Sequence, residues 1–127
     1  MLVDDSPVIL SILEEIINTE VKFDIELHPF LNSTLAKKQF LQLLPDFVIT
    51  DIDMPEVNGF DLIEYIKSVK DTPIIAMSGS SFEGNCTQTI LHCSELSGAD
   101  HNINKSDLPE RISPLITKVI SSISPKG

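Results

Sequence analysis

The sequence predicts a three-layer α/β domain, one five-stranded parallel sheet with helices on both faces. Three observations lead there. Short β-type runs alternate with amphipathic runs of helical period, giving five β-α units in succession. The central run, Asp46 to Thr50, is apolar and β-branched, as a strand covered by helices must be. The chain has 127 residues, 42% of them hydrophobic. That is one domain, long enough to bury about two thirds of its unfolded surface without a disulfide or metal staple.

Taken in order, Met1 to Val3 is a stub of strand. Pro7 to Asn18 carries Val8, Ile9, Ile12, Leu13, Ile16 and Ile17, the spacing of a helix with one buried face. Asp5 or Ser6 caps it, with Pro7 in its first turn. Phe23 to His28 alternates like a half-buried strand, and Thr34 to Leu44 is helical. After the central strand come a helix over Phe60 to Val69 and a strand over Pro73 to Met77. A helix over Asn85 to Leu96 and a short strand over His101 to Asn104 follow. Leu108 to Ile123 is an amphipathic helix that Pro114 is expected to kink or restart. There is no internal repeat. The domain is read as residues 1–127, with 124–127 a tail or linker remnant.

Charge and composition exclude several functions. Nine basic residues against nineteen acidic ones give a net charge of −10, which disfavours a phosphate-backbone partner. No apolar run is long enough for a membrane span, and no secretory signal is visible. Cys86 and Cys93 match no metal or redox spacing, so two free thiols in a reducing cytoplasm are expected.

In parallel sheets of this kind ligands bind beyond the carboxyl ends of the strands. Asp4 and Asp5 follow the first strand, Asp51 and Asp53 the third, Ser78 and Gly79 the fourth, and Lys105 the fifth. Each alone has a plainer explanation: a cap, a turn acid, a turn serine, a solvated lysine. Their joint placement at four strand ends is what marks a site. Clustered carboxylates stay ionised together only around a cation, and hard oxygen ligands suit Mg²⁺ or Mn²⁺. Asp51, at the end of the central strand, is then the natural nucleophile for an acyl phosphate, with Lys105 and the Ser78 hydroxyl around the phosphoryl oxygens. The turn from Met54-Pro55 to Asn58-Gly59 clears the rim for a donor.

These residues resemble the receiver domain of two-component response regulators. The motifs are "LVDDSP", "VITDIDMPEVNGFDLI", "PIIAMSG" and "GADHNINKS", which together span nearly the whole chain. The resemblance implies a flavodoxin-like strand order, 2-1-3-4-5, and phosphoryl acceptance from a sensor histidine kinase or a histidine phosphotransfer protein. It makes Asp51 the phosphoacceptor, Asp4 and Asp5 the metal-binding pair, and Asp53 the donor of a backbone carbonyl to the metal. Ser78 becomes the hydroxyl that turns toward the phosphoryl group, and Lys105 the phosphate-binding lysine. Chemistry is confined to self-phosphorylation and self-dephosphorylation at Asp51. Output passes through a downstream protein or a fused output domain.

Four departures from the pattern stand out. Asn102 occupies the place of the aromatic switch residue. Ser106 follows Lys105 where the family has a proline in cis; a cis bond to serine costs about 3–4 kcal/mol, so a trans bond is expected. The stretch from Ser78 to Lys105 is longer than usual, around "SSFEGNCTQ". The first strand, "MLV", is short, as if an upstream piece were missing. Two alternatives share parts of the pattern. One is a pseudo-receiver serving as a protein-binding scaffold. The other is an Asp-nucleophile phosphatase of the haloacid dehalogenase type, although Pro55 stands where that class has Thr or Val. A calcium loop at Asp51 is excluded, because Glu56 occupies its required glycine position.

Overall fold

The computed structural model describes residues 1–52, 59–78 and 98–123, with side chains in the second stretch from residue 61. Asp53, the turn residues up to Asn58, Gly79, the expected helix Asn85–Leu96 with Cys86 and Cys93, and the 124–127 tail lie outside these. Five parallel strands form one sheet in the order β2-β1-β3-β4-β5. They are β1 (Leu2–Val3), β2 (Pro29–Phe30), β3 (Val48–Asp51), β4 (Ile74–Ser78) and β5 (His101–Asn104). The helices are α1 (Pro7–Glu20), α2 (Ser33–Leu43), α3 (Gly59–Val69) and α4 (Leu108–Ile123). None of them is long and apolar enough to cross a membrane.

Strand alternation sorts the core into two layers. Leu2, Ile49, Ile75, Met77 and Ile103 point to one face and pack with Leu13 and Ile17 of α1 and Ile112, Ile116 and Val119 of α4. Val3, Val48, Ile74 and Ala76 point to the other, against Ala36 and Phe40 of α2 and Leu62, Ile63 and Ile66 of α3. Residues of both parities are buried along β1, β3 and β4, so these strands read as unbroken apolar runs.

Two strand expectations are corrected. Phe23–His28 is not a strand, and β2 is confined to Pro29–Phe30. The ladder matches this: β1 pairs from Leu2, opposite Pro29, and its contact with the preceding segment reaches back to the Leu2 N–H, which donates to His28 O at 3.0 Å. Likewise the central strand is Val48–Asp51 rather than Asp46–Thr50, because β4 begins pairing at Val48 and β1 at Ile49. Ser6, not Asp5, caps α1, its Oγ accepting from the Ile9 N–H. Helix α4 is continuous through Pro114, with Ile112, Ile116 and Val119 buried on either side of it. Burial of that stripe outweighs the one backbone hydrogen bond that proline removes.

A polar clamp ties the fourth strand to the segment before the fifth. Asp100 Oδ2 accepts from the Ile74 N–H and from Lys67 Nζ, each at 2.8 Å. Gly98, at φ +119°, turns the chain beside Lys67; a Cβ there would meet Lys67 Cγ at 3.1 Å. Asp100→Ala leaves the N–H of the buried Ile74 without an acceptor, and we expect it to lower stability by about 1–3 kcal/mol, read as a reduced urea midpoint at unchanged slope.

Candidate functional site

The carboxyl ends of the strands meet at one rim. Asp4 and Asp5 follow β1 directly, Asp51 ends β3, Ser78 ends β4 and Lys105 follows β5. Asp4, Asp51 and Ser78 are buried, whereas Asp5 is exposed. The parallel register sets this arrangement, with Asp51 opposite Met77 and Ser78 opposite Asn104.

One carboxylate oxygen from each of Asp4, Asp5 and Asp51 lies within 4.8 Å of the others. The Lys105 ammonium sits against two of them, 2.8 Å from Asp4 Oδ2 and 3.1 Å from Asp51 Oδ2. Its contact with Asp4 is an ion pair by distance, without the angles of a well-formed hydrogen bond. The other Asp4 oxygen accepts from the Ser6 N–H at 2.9 Å, so one aspartate both steadies the start of α1 and faces the cluster.

Burial raises the Asp4 carboxyl above its ordinary value; Lys105 and the Ser6 amide oppose that shift, and Asp5 adds to it. Burial also disfavours the charged Lys105, but Asp4 and Asp51 outweigh it and hold the ammonium above its usual range. Folded Asp4 therefore grips its proton more tightly than the unfolded chain does. In metal-free protein, stability should fall as pH rises from 3.8 through the folded value, with the loss complete above it. Lys105 follows the same sign at the alkaline end: its contribution is present below 10.5 and lost as pH passes its higher folded value. Urea midpoints from pH 3 to pH 8 should show the acid-side slope in the native chain and a flatter profile in Asp4→Asn.

Three carboxylates against one ammonium leave an excess of negative charge in a mostly buried cluster. An all-oxygen donor set of this kind fits a hard divalent cation, Mg²⁺ or Mn²⁺. Ser78 Oγ is buried and takes part in no hydrogen bond among the described residues, which leaves a hydroxyl available beside the acids.

Sequence reasoning missed the residue that sets the lysine loop. Asn104 Oδ1 accepts from both the Ser106 N–H at 3.0 Å and Ser106 Oγ at 2.9 Å, capping the 3-10 turn Lys105–Asp107. An asparagine two residues before a serine was the available signal. There is no cis peptide bond among the described residues, the expectation for Ser106 included. Asn102 pairs in register with Ala76 on β5. Among the proposed site residues, the described structure gathers Asp4, Asp5, Asp51 and Lys105, and sets Ser78 on the adjoining strand end.

Comparison with known proteins supplies the lineage of this arrangement. A family model described as "response regulator receiver domain" matches residues 1–114. A protein-glutamate methylesterase/protein-glutamine glutaminase of Carboxydothermus hydrogenoformans is 32% identical over 101 residues, 80% of this chain but 28% of that protein. The corresponding protein of Ralstonia nicotianae is 30% identical over 98 residues, 77% of this chain and 25% of its own length. The chain thus matches only about a quarter of the length of these curated relatives. Among solved structures, the response regulator domain of Thermotoga maritima CheB superposes with a TM-score of 0.74 at 25% identity, covering 96% of this chain and 92% of that one. A two-component transcriptional regulator from Clostridium phytofermentans gives a TM-score of 0.77 at 22% identity, with 96% and 92% covered, a likeness of fold. With the family model matched across most of its length, and the flavodoxin-like strand order observed, the chain belongs to the response regulator receiver domain family.

Proposed function

We propose that the chain is a phosphorylation-controlled signalling module whose phosphoacceptor is Asp51. One observation carries this reading. A buried aspartate ends the central strand with a lysine ammonium 3.1 Å away and two further carboxylates beside it. A lone carboxylate is a poor nucleophile; one fixed rigidly at a strand end, with cationic charge to meet the incoming phosphoryl oxygens, is a usable one.

In this reading an Asp51 carboxylate oxygen attacks the phosphorus of a phosphohistidine on a sensor kinase or a phosphotransfer protein. The new O–P bond forms as the P–N bond breaks, and the electron pair returns to the imidazole nitrogen. Lys105 keeps its charge through the ordinary pH range, so it moves from the carboxylates to an equatorial phosphoryl oxygen without a proton transfer. The Ser78 hydroxyl donates to a second oxygen. Asp4, Asp5 and Asp51, with a backbone carbonyl of Asp53, would hold Mg²⁺, which would supply charge neutralisation for the clustered carboxylates and the phosphoryl group. Water later attacks the acyl phosphate and releases inorganic phosphate. We place the module in the cytoplasm, and read the chain as controlling a fused output domain or a partner protein. The methylesterase relatives, of which it matches about a quarter, support the fused arrangement.

Mg²⁺ should stabilise the domain through this cluster. Free metal at 100 times its dissociation constant contributes about 2.7 kcal/mol, enough for a rise of several degrees in melting temperature. That rise should vanish in Asp4→Asn with Asp5→Asn, and chelation should reverse it in the native chain. The direct test of the module is intact mass after incubation with acetyl phosphate. A gain of one phosphoryl group that needs Mg²⁺ supports the reading; no gain in folded, Mg²⁺-binding protein refutes it.

A further inference from the structure

The Lys105 ammonium reaches Asp4 and Asp51 from a segment that the sheet does not hold. Strand β5 ends at Asn104, opposite Ser78 of β4, and Lys105 opens the 3-10 turn Lys105–Asp107 that leads into α4. Ladder pairing fixes the chain as far as Asn104, and the buried Leu108 fixes it again at the start of α4. The three residues between these anchors are half-buried or exposed. A lysine on such a segment has backbone freedom added to its long side chain, and both must be restricted before its ammonium can meet two carboxylates at once.

The Asn104 side chain supplies the restriction. Its Oδ1 accepts from the Ser106 N–H at 3.0 Å and from Ser106 Oγ at 2.9 Å. A backbone N–H can only donate, so the amide atom turned toward Ser106 is the oxygen. Both bonds run from the residue before Lys105 to the residue after it. The Lys105 carbonyl is engaged as well, accepting from the Leu108 N–H. With its neighbours tied together and its own carbonyl occupied, Lys105 is left in the backbone direction that brings Nζ 2.8 Å from Asp4 Oδ2 and 3.1 Å from Asp51 Oδ2. Water could satisfy Ser106 in this exposed place, so the two bonds add little to global stability. Their effect is to aim the lysine.

We infer that Asn104 is a positioning residue: its carboxamide oxygen closes the turn over Lys105 and thereby sets the ammonium beside Asp51 for the phosphoryl group. The consequence for uptake rests on Asp51 being the phosphoacceptor. The placement of the ammonium does not.

Two readouts keep these apart. In the first, the unphosphorylated protein is treated with a limiting amount of acetic anhydride, and labelling of Lys105 is compared with that of the exposed Lys118 by peptide mass. Asn104→Ala should raise the Lys105 to Lys118 ratio at least threefold, because the ammonium is no longer held between its carboxylates. Asn104→Asp keeps an acceptor oxygen in the same place and should label like the native chain. Ser106→Ala keeps the backbone N–H and should fall between. An unchanged ratio in Asn104→Ala, or a ratio in Asn104→Asp as high as in Asn104→Ala, would overturn the inference.

The second readout is the rate of phosphoryl uptake from acetyl phosphate in Mg²⁺, in a double-mutant cycle with Lys105→Ala. Asn104→Ala should slow uptake about tenfold when Lys105 is present and not at all when it is absent. Equal slowing in both backgrounds would overturn the inference, because a cap that only supports the fold acts whether or not the lysine is there. Uptake missing from the native chain would refute the Asp51 reading alone, and the labelling ratio would then decide the role of Asn104.

Discussion

Lys105→Ala is expected to lower stability at neutral pH by about 2–4 kcal/mol and to slow phosphoryl uptake by roughly a hundredfold. The two losses have one origin. The lysine is the cation between Asp4 and Asp51, at 2.8 and 3.1 Å, in a site where Asp4 and Asp51 are buried. Its removal leaves like charges facing each other in low dielectric without the ammonium between them. Two rescues separate this from a loss of packing. Saturating Mg²⁺ should restore most of the stability, because the metal takes over the neutralisation. Lowering the pH should narrow the gap between variant and native chain, because Asp4, already raised, takes up its proton more readily still. Neither treatment should restore uptake, for which the proposed function requires the ammonium on the phosphoryl group itself. Urea midpoints with and without Mg²⁺, together with phosphorylation time courses, read both halves. A stability loss indifferent to metal and pH would mean that the lysine acts through its aliphatic stem.

Asp51→Asn carries the second large effect, and in the opposite direction for stability. The variant should take up no phosphoryl group, yet unfold at a higher urea concentration than the native chain in the absence of metal. Replacing one of three clustered carboxylates with a neutral amide lowers the buried negative charge while Lys105 keeps Asp4 as a partner. A gain of about 1–2 kcal/mol is expected, in the range seen when buried ions are replaced by neutral groups of similar size. Metal should then stabilise this variant less than the native protein, since one donor is gone. Such a gain would mark Asp51 as a residue kept for chemistry rather than for stability.

The sequence was most legible where burial on both faces of the sheet dictated composition. The apolar run ending at Asp51, the strand before Ser78 and the helix over Leu108 to Ile123 each bury a pattern that no other element type satisfies. Their order then placed acidic, hydroxyl and amine groups from four strand ends at one rim before any contact was known. What failed to show was pairing. Phe23–His28 alternates like a strand, but alternation cannot reveal which residues a partner strand pairs with, and β1 pairs with Pro29 and Phe30. The extent of the central strand was missed by two residues at its start for the same reason, since its partners begin at Leu2 and Ile74. Pro114 was read from its local geometry, and the buried stripe of Ile112, Ile116 and Val119 overrode it. Asn104 and Asp100 escaped because their value lies in a single acceptor oxygen directed at a particular N–H, Ser106 in one case and Ile74 in the other. Composition carries no trace of such an angle.

The most direct measurement is the position of the phosphoryl group. The protein is phosphorylated with acetyl phosphate in Mg²⁺, reduced with borohydride, which converts an aspartyl phosphate to homoserine, and digested for peptide mass analysis. Homoserine at position 51 alone, absent when Mg²⁺ is withheld, is the result expected of an Asp51 phosphoacceptor. Homoserine at Asp4, Asp5 or Asp53 instead, or none in a chain that still binds Mg²⁺, would contradict it and return the domain to the role of a protein-binding scaffold.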